Sequence, residues 1–212
     1  QADTSCCGGS GFRFGNSVLC FQDNRCQQLQ QCAPQQTLNF NQPTGEQWIG
    51  FTVNTEESVY ETLQPLFTSG HITLVEDRFG NSVNSTGEVT TVYTPSALDQ
   101  VYANEGYVVY LDDTLGSITV SGSFLSLDDT LSGSSELLLR AGVHYISVRS
   151  PIDPEIFFSS VEGRLDRVES MRGGSYYWSN QADRYVNNGL GQLQPGEGYR
   201  VVMNSAATLT LP

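Results

Sequence analysis

Apolar and polar residues alternate along this chain in short runs, each closed by Gly, Asn, Asp or Ser. "TLNF" from Thr37, "HITLVEDRF" from His71, "YVVYL" from Tyr107 and "SITV" from Ser117 are four such runs, and "ELLL" from Glu136, "RLDRVESM" from Arg164, "YRVVM" from Tyr199 and "TLTL" from Thr208 are four more. A period of two over so few residues predicts half-buried strands. In two places the spacing becomes helical. Asn54 and Glu57 form an N-x-x-E capping box ahead of Val59, Leu63, Leu66 and Phe67, with Pro65 expected to end or kink the helix. Asp153 is a good N-cap, Pro154 suits the first helical position, and Phe157, Val161 and Leu165 follow on one face.

These elements occur in the same order twice. Gly45-Glu-Gln-Trp-Ile-Gly-Phe-Thr-Val53 aligns without gaps to Gly142-Val-His-Tyr-Ile-Ser-Val-Arg-Ser150, so that Trp48 matches Tyr145 and Ile49 matches Ile146. Glu105-Gly106-Tyr107 and Glu197-Gly198-Tyr199 close the two copies. In each closing phrase the glycine is expected to permit a tight turn, and the two strands that follow to pair as a hairpin. The fold class read from this is α+β, mainly β: two tandem homologous modules, each with one short helix, after a Cys-rich N-terminal segment. The expected boundaries are 1–36 for a disulfide-bearing arm, 37–122 for the first module, 123–135 for a linker or hairpin, and 136–212 for the second module. Trp48, Ile49, Val59, Leu63, Val109, Ile118, Tyr145, Ile146, Phe157, Val161, Val201 and Leu209 are the expected core.

The two phrases resemble those of repeated modules in secreted bacterial surface proteins. Those modules open with Gly-Trp-Asn-x-Ile-Ser and close with Leu-x-Pro-Gly-x-Gly-Tyr. The resemblance covers roughly Thr37 to Pro212. The second copy matches the closing phrase at Leu193, Pro195, Gly196, Gly198 and Tyr199, whereas the first keeps Gly106 and Tyr107. The opening phrase departs in both copies, with Glu46 and Val143 in place of Trp, and Gln47 and His144 in place of Asn. The resemblance implies an extracellular, non-catalytic accessory or surface role and brings no catalytic residues.

Charge changes the picture by exclusion. The chain carries 10 basic and 23 acidic residues, a net charge of −13, which opposes nucleic-acid binding. Every basic residue is Arg, so Lys–Asn cross-links are impossible. No apolar run is long enough to span a bilayer as a helix. The chain starts at Gln1 without a basic-then-apolar leader, which reads as a mature, secreted form. Cys6, Cys7, Cys20, Cys26 and Cys32 all fall in the first 32 residues without a CxxC pair. That pattern favours disulfides over a zinc site, and the odd fifth thiol is either free or pairs with another molecule.

Candidate chemistry is sparse. His71 and His144 are read as turn or strand-surface residues, and Asp112-Asp113 and Asp128-Asp129 as solvated turns without the spacing of a calcium loop. No G-x-S-x-G, H-E-x-x-H or Walker pattern occurs, and no cofactor or metal is expected. Asn84-Ser85-Thr86 fits an N-glycosylation acceptor. "SYYWSNQADRY" gathers Tyr176, Tyr177, Trp178 and Tyr185 as a possible contact surface; Tyr177 facing inward would turn Tyr176 and Trp178 outward. The expected function is that of an extracellular structural protein, a self-assembling subunit of a surface fibre, filament or adhesive layer. The alternative is a glycan- or surface-polymer-binding accessory module, with a secreted hydrolase as the third reading.

Overall fold

The computed structural model describes residues 35–40, 44–94, 96–102, 104–112, 116–121 and 136–211, together with the backbone of four strands before residue 32. Those four, β1 (Ala2–Asp3), β2 (Gly11–Phe14), β3 (Ser17–Phe21) and β4 (Leu29–Gln31), form an antiparallel sheet in chain order. Cys20 lies on β3; Cys6, Cys7, Cys26, Cys32 and all five thiols lie outside the described residues, as does the whole of the expected 123–135 linker.

The rest is two similar halves, each with a two-stranded and a five-stranded antiparallel sheet. The first half runs β5 (Gln35–Phe40), β6 (Gly45–Gly50), α1 (Val59–Thr68), β7 (Ile72–Glu76), β8 (Ser82–Asn84), β9 (Val89–Thr90), β10 (Gly106–Leu111) and β11 (Gly116–Ser121). Its large sheet has the order β6-β10-β7-β8-β9. The second half runs β12 (Glu136–Leu139), β13 (Gly142–Ile146), α2 (Pro154–Phe157), β14 (Leu165–Ser170), β15 (Ser175–Ser179), β16 (Arg184–Asn188), β17 (Tyr199–Met203) and β18 (Ala207–Thr210), with the order β13-β17-β14-β15-β16. The fold is mainly β with short helices, as the hydrophobic pattern implies. Among the described residues no helix is long and apolar enough to cross a membrane.

Each closing pair of strands is a corner and not a hairpin. β10 is flanked by β6 and β7, and β17 by β13 and β14, so neither has an edge left for the strand that follows it. β11 instead crosses the core and pairs with β5, and β18 pairs with β12. The resulting ribbons present Leu38, Phe40 and Val120, or Leu137, Leu139 and Leu209, to the same core as the inner face of each large sheet. Sheet, helix and ribbon thus enclose one apolar interior per half.

The helices form where expected but begin differently. Ser58, not Asn54, caps α1: its Oγ accepts from Glu61 N at 3.2 Å, while Glu61 Oε2 accepts from Ser58 N at 2.9 Å. The bonds that Ser58 N and Ser58 Oγ donate to the Glu61 carboxylate favour its ionised form and lower its pKa. The cap lies four residues later because the chain bends at Glu56 and Glu57 before Ser58, and the helix starts where Val59 can be buried. Val59, Leu63, Leu66 and Phe67 are all buried, and Pro65 sits in the last turn. α2 is one turn long; a 3-10 turn at Ser159–Val161 follows, and Leu165 already belongs to β14. Asp153 flanks α2 without a side-chain cap bond. Of the expected core, Trp48, Ile118 and Tyr145 are half-buried and the other nine are buried.

Candidate functional site at the module junction

The two halves meet through their opening and closing phrases, reciprocally. Ile49 pairs with Tyr107 in its own sheet and bridges Glu197 of the other half; Ile146 pairs with Tyr199 and bridges Glu105. Gly50 N donates to Gly196 O at 3.3 Å, and Ser147 N donates to Asn104 O at 2.9 Å. Asn104 (φ 76°) and Gly196 (φ 86°) hold the same left-handed conformation at matched positions. The junction is therefore an internal two-fold arrangement of the kind formed between identical subunits.

Gly106 and Gly198 serve this contact, not a turn. A Cβ on Gly106 would lie 2.5 Å from Ile146 N, and one on Gly198 would lie 2.8 Å from Ile49 N. The glycine of each closing phrase lets the backbone of the other module pass. The tyrosines beside them, Tyr107 and Tyr199, are fully buried. Tyr107 Oη donates to Ala97 O at 3.0 Å; Tyr199 Oη accepts from Gln194 N at 2.5 Å and donates to Glu197 Oε2 at 3.1 Å. Trp48 and Tyr145 face each other across the junction with ring centroids 5.5 Å apart.

A two-fold arrangement generates two equivalent grooves, and here they differ. One is open, with a volume of about 290 Å³, near the small end of ligand pockets. Its walls come from Thr37–Asn39 on β5, Gln47–Ile49 on β6, Ser170–Arg172 at the end of β14 and the turn beyond it, and Pro195–Gly198 before β17. Gln47 Nε2 donates to Asn39 O at 2.9 Å, and Arg172 Nη2 meets Glu197 Oε1 at 2.9 Å with the Arg172 side chain 80% exposed. Trp48 N points at Met171 Sδ, 2.9 Å away.

In the matching groove, Arg78 stands where Met171 does. Its Nη1 donates to Leu138 O at 3.1 Å on one wall, and its Nε lies 2.8 Å from Glu105 Oε2 on the other. Both side chains are buried, at 7% and 2% exposure. Burial raises the Glu105 pKa to about 7 against the opposing pull of Arg78. His144, the counterpart of Gln47, is buried within reach of the Arg78 charge, with its Nε2 2.9 Å from Arg140 O; burial lowers its pKa, the bond to Arg140 O opposes this, and the charges of Arg78 and Arg140 lower it further. It is not the strand-surface residue that its place in the sequence implies, because strand alternation puts it on the same face of β13 as the buried Ile146. His71 is half-buried just before β7.

The aromatic segment divides. Tyr176 pairs with Val168, so strand alternation turns it into the core, and Tyr177 takes the opposite face half-buried. This reverses the orientation considered from the sequence. Tyr185 stacks on Tyr176 at 5.1 Å, and its Oη donates to Leu165 O at 2.6 Å. Burial pushes Tyr176 up to about 12. Trp178 remains 43% exposed against the edge of Tyr185. Asp112 is exposed, and Asp113, Asp128 and Asp129 lie outside the described residues. Arg78, Glu105, Met171 and Arg172 are not conspicuous singly; aligning "EDRFG" with "ESMRG" would reveal an arginine displaced by one position between the copies.

No protein-family model matches the chain, and no curated protein or solved structure is significantly similar to it.

Proposed function

We propose that this protein is an extracellular, non-catalytic surface component that binds a neutral, hydroxyl-rich polymer, a glycan, in the groove between its modules. The observation that supports this is the open groove itself, kept open where its two-fold counterpart is filled. Hydroxyl, amide and guanidinium groups of Thr37, Asn39, Gln47, Ser170 and Arg172 belong to its lining residues and suit a ligand rich in hydroxyls. The strongly negative chain disfavours anionic polymers. Glu197 is the one carboxylate among the described residues that line the groove, and it is engaged by Arg172 and Tyr199; glycoside hydrolysis ordinarily needs a pair of carboxyls. The resemblance to repeated surface modules and the clustered cysteines favour a secreted setting. Calorimetric titration with neutral glucan, mannan, xylan and chitin fragments tests the reading. Saturable binding weakened by Arg172→Ala is expected; the absence of binding across the panel contradicts it.

Self-assembly into a fibre or layer is the second reading, favoured by a different observation. β16 pairs with β15 alone, so among the described residues one edge of Arg184–Asn188 has no strand beside it. Such an edge can accept a strand from another copy. Electron microscopy, with reducing and non-reducing electrophoresis, would show ordered particles or disulfide-linked ladders; a strict monomer at high concentration opposes this reading.

A further inference from the structure

We propose that the dipeptides Arg78-Phe79 and Met171-Arg172 decide which of the two junction grooves is open to ligand, and that the plugged groove is a latent second copy of the binding site. This rests on the glycan-binding reading for the identity of the ligand, but not for the plug. The turns that carry the dipeptides are superimposable in register: Val75 pairs with Val83 and Val168 with Tyr176, with the same chain length between. Gly80 and Gly173 hold the same left-handed conformation just after each dipeptide.

One arginine shifted by one position accounts for the difference. In the first half Arg78 spans the groove from Leu138 O to Glu105 and carries Phe79 beneath it, with the guanidinium carbon 4.4 Å from that ring. In the second half the arginine comes one residue later, at Arg172. It reaches the matched carboxylate, Glu197, from the solvent side, and the groove behind it stays clear. Both carboxylates thus retain an arginine partner, and only the route of the side chain differs. A buried Glu105 without a partner would be costly, which makes the paired exchange the fitting substitution.

The test exchanges the dipeptides in the full chain. R78M/F79R copies the open arrangement into the closed groove while leaving Glu105 an arginine; M171R/R172F does the reverse. Carbethoxylation of His144 by diethyl pyrocarbonate, followed by peptide mass spectrometry with His71 as the internal reference, reports opening without any ligand. R78M/F79R is expected to speed His144 modification by at least about tenfold. Titration with the neutral oligosaccharides is expected to give two sites per chain for R78M/F79R, one for the wild type and none for M171R/R172F. Unchanged His144 reactivity overturns the plug. Faster labelling with a single bound oligosaccharide overturns the equivalence of the grooves. Wild-type protein that binds no oligosaccharide removes the glycan reading while His144 still decides the plug. Loss of fold in R78M/F79R, seen by circular dichroism, shifts the decision to M171R/R172F, where retained wild-type binding overturns the proposal.

Discussion

Gly50 and Ser147 hold the same position in the two modules, and a Cβ on Gly50 would lie 1.9 Å from Ser147 Oγ. The junction has room for one side chain at this point, and Ser147 supplies it. Gly50→Ser is expected to destabilise the protein by roughly 1–3 kcal/mol through overpacking. Adding Ser147→Gly recovers part of that loss, because Glu197 O, 2.9 Å from the same Cβ, still crowds it. Urea denaturation of the single and double variants gives the coupling; strictly additive effects would mean that these two residues do not meet.

Gly106→Ala and Gly198→Ala should each destabilise by roughly 1–3 kcal/mol or more, since the new methyl group meets backbone that cannot rotate aside. Gly80→Ala is the control: it has open space, so its loss reflects only the positive φ. Denaturation midpoints for the three variants compare crowding with conformational strain. Equal losses at all three would place the junction glycines in an ordinary turn role.

The period-two runs and the duplicated phrases made the strands, the two modules and nine of the core positions legible, because each depends on which face of a local element is apolar. The sheet partners were not legible. Nothing in "YVVYL" or "SITV" says that β10 will already be flanked on both sides, so local order suggested a hairpin where a corner forms. The position of the capping box is not legible either, because Asn54-x-x-Glu57 and Ser58-x-x-Glu61 are equally good in sequence. Only packing of Val59 selects the second. The site was the least legible part: its groove lies between modules, and its distinguishing feature is an arginine moved by one residue.

Glu105 makes stability depend on pH in a specific direction. Its ordinary pKa of 4.5 rises to about 7, from burial first, with Arg78 opposing and Asp77 adding. The folded state holds a proton that the unfolded chain releases, so this contribution is fully present below the unfolded value and is lost as pH rises through about 7. His144 works in the opposite sense, since its lowered pKa gives stability that is lost as pH falls below its usual 6.5. Tyr107 also faces Glu105, but it remains neutral throughout this range, as does Tyr102. Glu105→Gln removes the carboxylate alone. Its melting temperature relative to wild type should therefore climb between about pH 5 and pH 8; a constant difference would mean that Glu105 does not titrate there.

Asp77 anchors the turn that carries Arg78. Its buried carboxylate accepts from Phe79 N at 2.8 Å, Asn81 N at 2.9 Å, Asn81 Nδ2 at 2.8 Å and Ala97 N at 2.9 Å. Asp77→Ala leaves these donors unsatisfied and should cost more than about 3 kcal/mol. Hydrogen exchange should show the loss of protection concentrated at Phe79, Asn81 and Ala97. Unchanged protection there would contradict the anchoring role.

Backbone amide shift mapping during addition of a neutral oligosaccharide tests the central claim most directly. Perturbations should gather at Asn39, Gln47, Met171, Arg172 and Glu197 and leave Arg78, Glu105 and His144 unmoved. Shifts centred on Tyr177 and Trp178, or no shifts at saturating oligosaccharide, would contradict the account.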